Sequence, residues 1–400
     1  MNRDRWFVIP FVLALTLQVN ESPAWEQIQC IAPINQGKKK HWTGRVYQPV
    51  LDPKTIPEGS AQYFAVLDAI ERMNLNPGNF RYVFGGMDNH DGVAVNNGES
   101  EIWMEDLGPG FSNNSAVEQS DSDYSPSCTA TESDIIINTR YRMQRPPLDA
   151  NKLEYSNNKN RLFAYGGSNA HFVSTVMHEL GHSAGLHHEG DVLNLMGGNN
   201  LLVANGENVE PYIGEDAATG LIALFGLSAD AKEDVSVSHW RYGDKIAAKD
   251  GSVFSLHHRT RLFNTKNTEV DMDCPYRHPD LNGPLIAACP EPVYQVHKGQ
   301  AVKLELTFEN AGKTTPLAVT ASYYLSSDSM IDANDLRLKT KTYSIKRDSN
   351  PSTLRADLTI PNSVTFNKNY WLGCLVKTAD PALKESNERN NATYVGIKIN

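Results

Sequence analysis

Long apolar runs are almost absent from this 400-residue chain: beyond Trp6–Leu17 no stretch of comparable length follows. A bilayer-spanning helix needs about 20 such residues, so no membrane span is expected, and the chain should be released rather than anchored. Basic clusters are equally scarce. Lys38, Lys39 and Lys40 form one short run in a chain of formal net charge -10, which excludes nucleic acid and anionic membrane as the main partners. Cysteine is sparse and odd in number, at positions 30, 128, 274, 289 and 374, so a fully paired disulfide framework is excluded and one thiol must be left over. A charged fraction of 21% beside 40% apolar residues rules out wholesale disorder or a fibrous repeat.

What is present begins with an export signal. Arg3 and Arg5 precede the apolar run, and Ser22-Pro23-Ala24 supplies a small-residue cleavage site, so residues 1–24 read as a secretory signal peptide. The mature protein is expected to be secreted, passing through the periplasm in transit, where disulfides are permitted. Cys274 with Cys289 is the favoured pair because the two lie close together in turn-rich sequence; Cys30 with Cys128 is the second choice. Cys374, in the strand-like run Tyr370–Val376, is expected to be a buried free thiol.

Hydrophobic periodicity predicts a helix over Ala61–Met73, stopped before Asn76-Pro77-Gly78. Strands are predicted at Phe80–Phe84, Glu99–Met104 and Asp134–Asn138, the last carrying Ile135-Ile136-Ile137 as a strand covered on both faces would. A second helix starts at Ser168 or Asn169 as N-cap and carries Phe172, Val173, Val176, Met177, Leu180 and Ala184 on its apolar side. A third runs from about Glu215 to Phe225 and closes with Gly226. From Val293 onward, alternation and β-branched residues predict an all-β sandwich. The resulting division is 25–41 as an N-terminal segment, 42–228 as the chemical domain, 229–292 as a connection whose assignment to the β domain is left open, and 293–400 as the β domain.

The chemistry concentrates in His178-Glu179-Leu180-Gly181-His182-Ser183-Ala184-Gly185-Leu186-His187-His188. Residues four apart on a helix share a face, so His178 and His182 can hold one metal ion. Gly185 permits the left-handed turn that ends the helix and brings His188 in as a third ligand. Three imidazoles suit zinc and leave its fourth position open, as catalytic rather than structural sites do. Glu179 is placed as general base: the metal lowers the water pKa from about 15.7 towards 7 while Glu179 takes the proton. His171, about 10 Å along the helix from His178, is too far to join them. His187 points elsewhere.

This run, with Met196 in Asn194-Leu195-Met196-Gly197, resembles the metzincin superfamily of zinc endopeptidases over residues 42–226. The resemblance implies an α+β fold, a twisted mixed sheet with long helices, and a methionine turn at Met196 that supports the metal site. It also implies an extended substrate laid against an edge strand, for which Glu99, Ser100, Glu101, Ile102, Trp103 and Met104 are the candidates. Protein or peptide substrates and one catalytic Zn2+ follow. Tyr212 departs from the spacing of the metal-proximal tyrosine some members carry, and is read as an ordinary packed residue.

Tyr323–Asp328, Ile331-Asp332 with Asp335, and Glu385–Asn391 resemble bacterial cell-adhesion-related (CARDB-like) immunoglobulin-like domains. That resemblance implies spacing or contact with a cell surface or extracellular polymer. Calcium could find oxygens at Asp88 and Asp91 or at Asp328, Asp332 and Asp335, but neither set makes a complete ligand ladder, and turn residues serving the backbone are the preferred reading. The rival from another class is an adhesin-like binding protein whose zinc domain is a non-catalytic scaffold.

Overall fold

The computed structural model describes residues 25–88, 92–111, 114–141, 153–162, 169–247, 251–273 and 291–400. The expected signal segment, Asp91, Ser168, Cys274 and Cys289 lie outside them. Helix α1 (Ala61–Met73) occupies the span its periodicity predicts; Ser60 caps it by accepting from the Tyr63 N–H. It buries Ala65, Val66, Ala69, Ile70 and Met73 against helix α2 (Phe172–Ser183). The cap of α2 is His171, not Ser168 or Asn169. Ala170 and His171 are already committed to a short parallel pairing with Leu153 and Glu154, so the helix cannot begin earlier. Helix α3 spans Gly214–Phe225 and ends at Gly226.

The α+β fold with long helices does not hold. The three helices found among the described residues have 13, 12 and 12 residues, and strands dominate the molecule. Each helix stops after about three turns at a Pro- or Gly-bearing turn. Residues 235–400 add many strands, some with period-two burial, such as Ser352–Thr359, and others buried almost throughout, such as Ala301–Asn310.

Beside α2 lies a four-stranded sheet in the spatial order Val50–Leu51, Glu101–Glu105, Ser133–Asn138, Ala116–Ser120. Neighbours are parallel except for the last strand. Ser133–Asn138 is buried along its whole length, as its isoleucine triplet requires.

The expected edge strand is not at an edge. Glu99 and Ser100 precede the strand, which lies between two others: Glu101 and Ile102 pair with Val50 and Leu51 on one side, and Ile102, Trp103 and Met104 pair with Ile135, Ile136 and Ile137 on the other. The edge facing α2 is Ala116–Ser120. Alternation along a strand reveals its faces but not its neighbours, because sheet order is set by the crossovers.

The described residues of 235–400 form two larger sheets and a two-stranded hairpin, Trp240–Ala247 with Val253–Arg259. One centres on Ala301–Asn310, which pairs with Val235–Ser238, Leu262–Asn264 and Ser352–Thr359. The other has six strands in the order Met272–Asp273, Val293–Val296, Ala392–Ile399, Asn369–Thr378, Leu317–Ser326, Leu336–Ile345. Leu304, Phe308, Val319, Tyr323, Leu372 and Ile397 from the two sheets share one buried core. Much of 229–292 therefore belongs to this half. Cys374 is a buried free thiol in that core, whereas Cys30 is bonded to Cys128.

The two halves are docked on one another. Tyr324, Ile331, Ala392 and Tyr394 join the core of the helical half. Buried Glu215 accepts backbone N–H groups of Asn310, Asp348 and Asn350. Glu309 accepts from the Tyr212 hydroxyl and the Glu215 N–H, so Tyr212 is a docking residue, as an ordinary packed tyrosine would be.

Candidate metal centre

Helix α2 and the loop that follows it bring His178, His182 and His188 together, with their ligand atoms all within 4.8 Å of one another. The turn between helix and loop depends on Gly185, whose φ of +100° is a conformation side chains resist. Leu186 N–H closes on Gly181 O across it at 3.0 Å, a Schellman ending that sends the chain back towards the histidines.

Carbonyls of the last turn also accept hydrogen bonds from side chains outside the helix. Buried Lys40 donates to His182 O at 3.1 Å, the Tyr82 hydroxyl to Leu180 O at 3.0 Å, and the Trp42 indole N–H to Ser183 O. Residues 25–41 are thus woven into the site rather than appended to it. Ile28 and His187 also exchange backbone hydrogen bonds with the loop and the N-terminal segment: Ile28 N–H donates to Gly185 O and His187 N–H to Glu26 O.

Backbone carbonyls orient two of the rings. His178 Nδ1 bonds to Leu195 O at 3.0 Å and His182 Nδ1 to Leu186 O at 2.7 Å. Each bond fixes Nδ1 as the donor and leaves Nε2 as the free lone pair. His182 Nε2 lies 2.9 Å from His188 Nε2. Burial holds all three rings neutral: His178 is drawn down to about 4, His182 falls well below its ordinary value, and His188 reaches about 2, the last two helped by the neighbouring histidines. Neutral, converging, outward-tied imidazoles fit a zinc ion.

Met196 is buried directly beneath the helix, its sulfur against Gly181. Glu179 is buried one residue after the first histidine, and its carboxyl is pushed up to about 8 by burial and then by Glu118. Glu118 stands on the edge strand Ala116–Ser120, held by Lys40 Nζ at 2.7 Å and by the Ser133 hydroxyl. The general-base candidate therefore faces that edge.

His171 is buried away from the cluster, bonded to Ser174 and Asn157, and drawn down to about 3 by burial and by Arg72. His187 is half-exposed, 3.6 Å from Glu26. Asp328, Asp332 and Asp335 accept backbone N–H groups within their own turn. Among the described residues the histidine triad is the one group suited to a metal.

Some participants were not legible in the sequence. Lys40 ends a short basic run, yet it is 1% exposed. Phe254, Ser255 and His257 come from a hairpin, Trp240–Ala247 with Val253–Arg259, that lies against the loop carrying His188 and Met196. Ser255 N–H donates to Glu189 O, and Gly198 N–H to Ser255 O, each at 2.8 Å. Only the aromatic content of this segment hinted at burial.

No protein-family model matches the chain, and neither does any curated protein. Similar solved structures include the crystal structure of a CARDB domain from Pyrococcus furiosus in complex with di-metal ions, 18% identical, covering 26% of this chain and 83% of that one, with a TM-score of 0.21. A solution structure of the same domain is 15% identical over 35% of this chain and 94% of that one, with a TM-score of 0.20. A β-glucuronidase from Parabacteroides merdae is 20% identical over 26% of this chain and 11% of that one, with a TM-score of 0.17. The neighbours are thus CARDB domains in the first two cases, and at these scores they carry no weight for function.

Proposed function

We propose that this chain is a secreted zinc-dependent endopeptidase of metzincin type that hydrolyses peptide bonds in protein substrates. The observation that carries the proposal is the convergence of three neutral imidazoles from the His178–His188 run, two of them tied back to carbonyls, with a buried carboxylate one residue after the first. His178, His182 and His188 would hold the ion. A zinc ion held there would supply Lewis acidity towards a scissile carbonyl and a water molecule.

The protein's own groups do the rest. Glu179 takes the proton from the attacking water and returns it to the leaving amine. Burial and then Glu118 push the Glu179 carboxyl up to about 8, which suits a group that must take a proton and give it up again near neutral pH. An extended substrate is accommodated by the free edge of Ala116–Ser120, through main-chain hydrogen bonds that need no particular sequence. No helix among the described residues is long and apolar enough to cross a membrane.

The test is turnover of a denatured protein by wild type and by Glu179→Gln, with zinc content measured in both. Equal zinc and a loss of turnover of about 10²- to 10⁴-fold are expected. Equal turnover removes Glu179 from the chemistry, and wild type without turnover leaves the adhesin-like binding protein as the better account.

A further inference from the structure

The third histidine lacks the support given to the other two. His178 and His182 stand on a helix and each has an Nδ1 bonded to a carbonyl. His188 lies on a loop, and its Nδ1 is buried with no hydrogen-bond partner. A ligating imidazole normally donates its second N–H to an acceptor that fixes the ring, so something else must do so here.

The Phe254 ring meets that need. Its centroid lies 3.9 Å from that of His188, with the planes tilted by 38°. Both flanking residues are fastened to the metal loop. Ser255 exchanges backbone hydrogen bonds with Glu189 and Gly198, and its hydroxyl accepts from Asn194 Nδ2 at 3.0 Å. Val253 packs so tightly over Gly190 that a Cβ there would lie 2.6 Å from Val253 Cγ1. His257 N–H donates to Asn199 Oδ1 at 2.9 Å, extending the clamp along the loop.

We propose that Phe254 is a positioning residue for the metal, holding the His188 ring by face contact in place of a hydrogen bond, so that a hairpin rooted in the C-terminal half completes the centre. The proposal rests on the triad being a zinc site. It predicts that metal affinity, not only turnover, depends on a residue 66 positions after the ligand it steadies.

Zinc affinity of the full chain is measured by competition with a chelating dye for wild type, Phe254→Ala, Phe254→Leu and Phe254→Tyr, with circular dichroism of the metal-free proteins as the control for folding. Phe254→Ala should bind zinc about 10- to 100-fold more weakly, the range found when outer partners of metal ligands are removed. Phe254→Tyr, which keeps the ring, should match wild type. Phe254→Leu keeps apolar volume and so protects the fold, and it should still weaken binding; if Phe254→Ala does not fold, Phe254→Leu decides. Wild-type affinity in a folded Phe254→Ala or Phe254→Leu protein overturns the role of Phe254. A wild-type protein that takes up no zinc overturns the metal site itself, a separate and distinguishable failure.

Discussion

The sulfur of Met196 lies against the backbone of Gly181, one residue before the second histidine: a Cβ built on Gly181 would stand 2.5 Å from Met196 Sδ and 3.1 Å from its methyl carbon. The helix and the turn bearing Met196 thus meet without a spacer, and His178 is bonded to the residue just before Met196. Gly181→Ala should cost about 1–3 kcal/mol of stability through overpacking. Denaturant unfolding of the metal-free protein would check this. Adding Met196→Ala should recover part of the loss, because residues in contact are not additive; full additivity would mean that the two do not press on each other.

The disulfide Cys30–Cys128 closes a separation of 98 residues and ties the segment bearing Lys40 to the main body. Reduction, or paired replacement by serine, should lower stability by about 2–4 kcal/mol. Thermal unfolding with and without reductant tests this, and an unchanged midpoint would show that the N-terminal segment is held by its capping bonds alone.

The docking interface titrates in the neutral range. Burial pushes Glu215 up to about 8 and Glu309 to about 7 from an ordinary value near 4.5, and Asp216 beside them is raised as well. Such groups hold protons more tightly when folded, so their contribution is complete below about pH 4.5 and is lost as pH rises through 7 to 8. His171 acts in the opposite sense, because its neutral buried ring loses stability only below about 6.5. Between about pH 6.5 and 8 the thermal midpoint should therefore fall with rising pH, and Glu309→Gln should flatten part of the slope. A midpoint that rises across that window would contradict the buried, protonated interface.

A chain cut at about residue 228 should fail as an independent unit. It would expose the surface now covered by Tyr324, Ile331 and Tyr394 and lose the hairpin that clamps the metal loop. Poor solubility, or a collapsed state without near-ultraviolet dichroism, is the expected outcome. A truncated protein with wild-type zinc affinity would show that the C-terminal half serves only as a spacer.

Local features were legible where one segment carries the whole signal. Helix α1, the turn at Gly185 and the His178–His182 face each depend on side-chain spacing within a few residues, which periodicity records directly. The favoured pairing of Cys274 with Cys289 rested on proximity along the chain, and both residues lie outside the described structure; the second choice, Cys30 with Cys128, is formed. The inner position of Glu101–Glu105 and the burial of Lys40 depend on partners distant in sequence and were hidden. Sheet order and long-range partners come from crossovers and docking, which leave no mark on a strand's own alternation.

From its residues alone, this chain specified which imidazoles share a helix face, where that helix must end, and that a carboxylate lies beside them, because each follows from backbone geometry over a dozen positions. The tertiary structure decided that the molecule is chiefly β, that Ala116–Ser120 and not Glu101–Glu105 is the sheet edge beside α2, and that Phe254 of a distant hairpin lies on His188. Those outcomes depend on burial shared between segments far apart in sequence, where no local spacing rule operates.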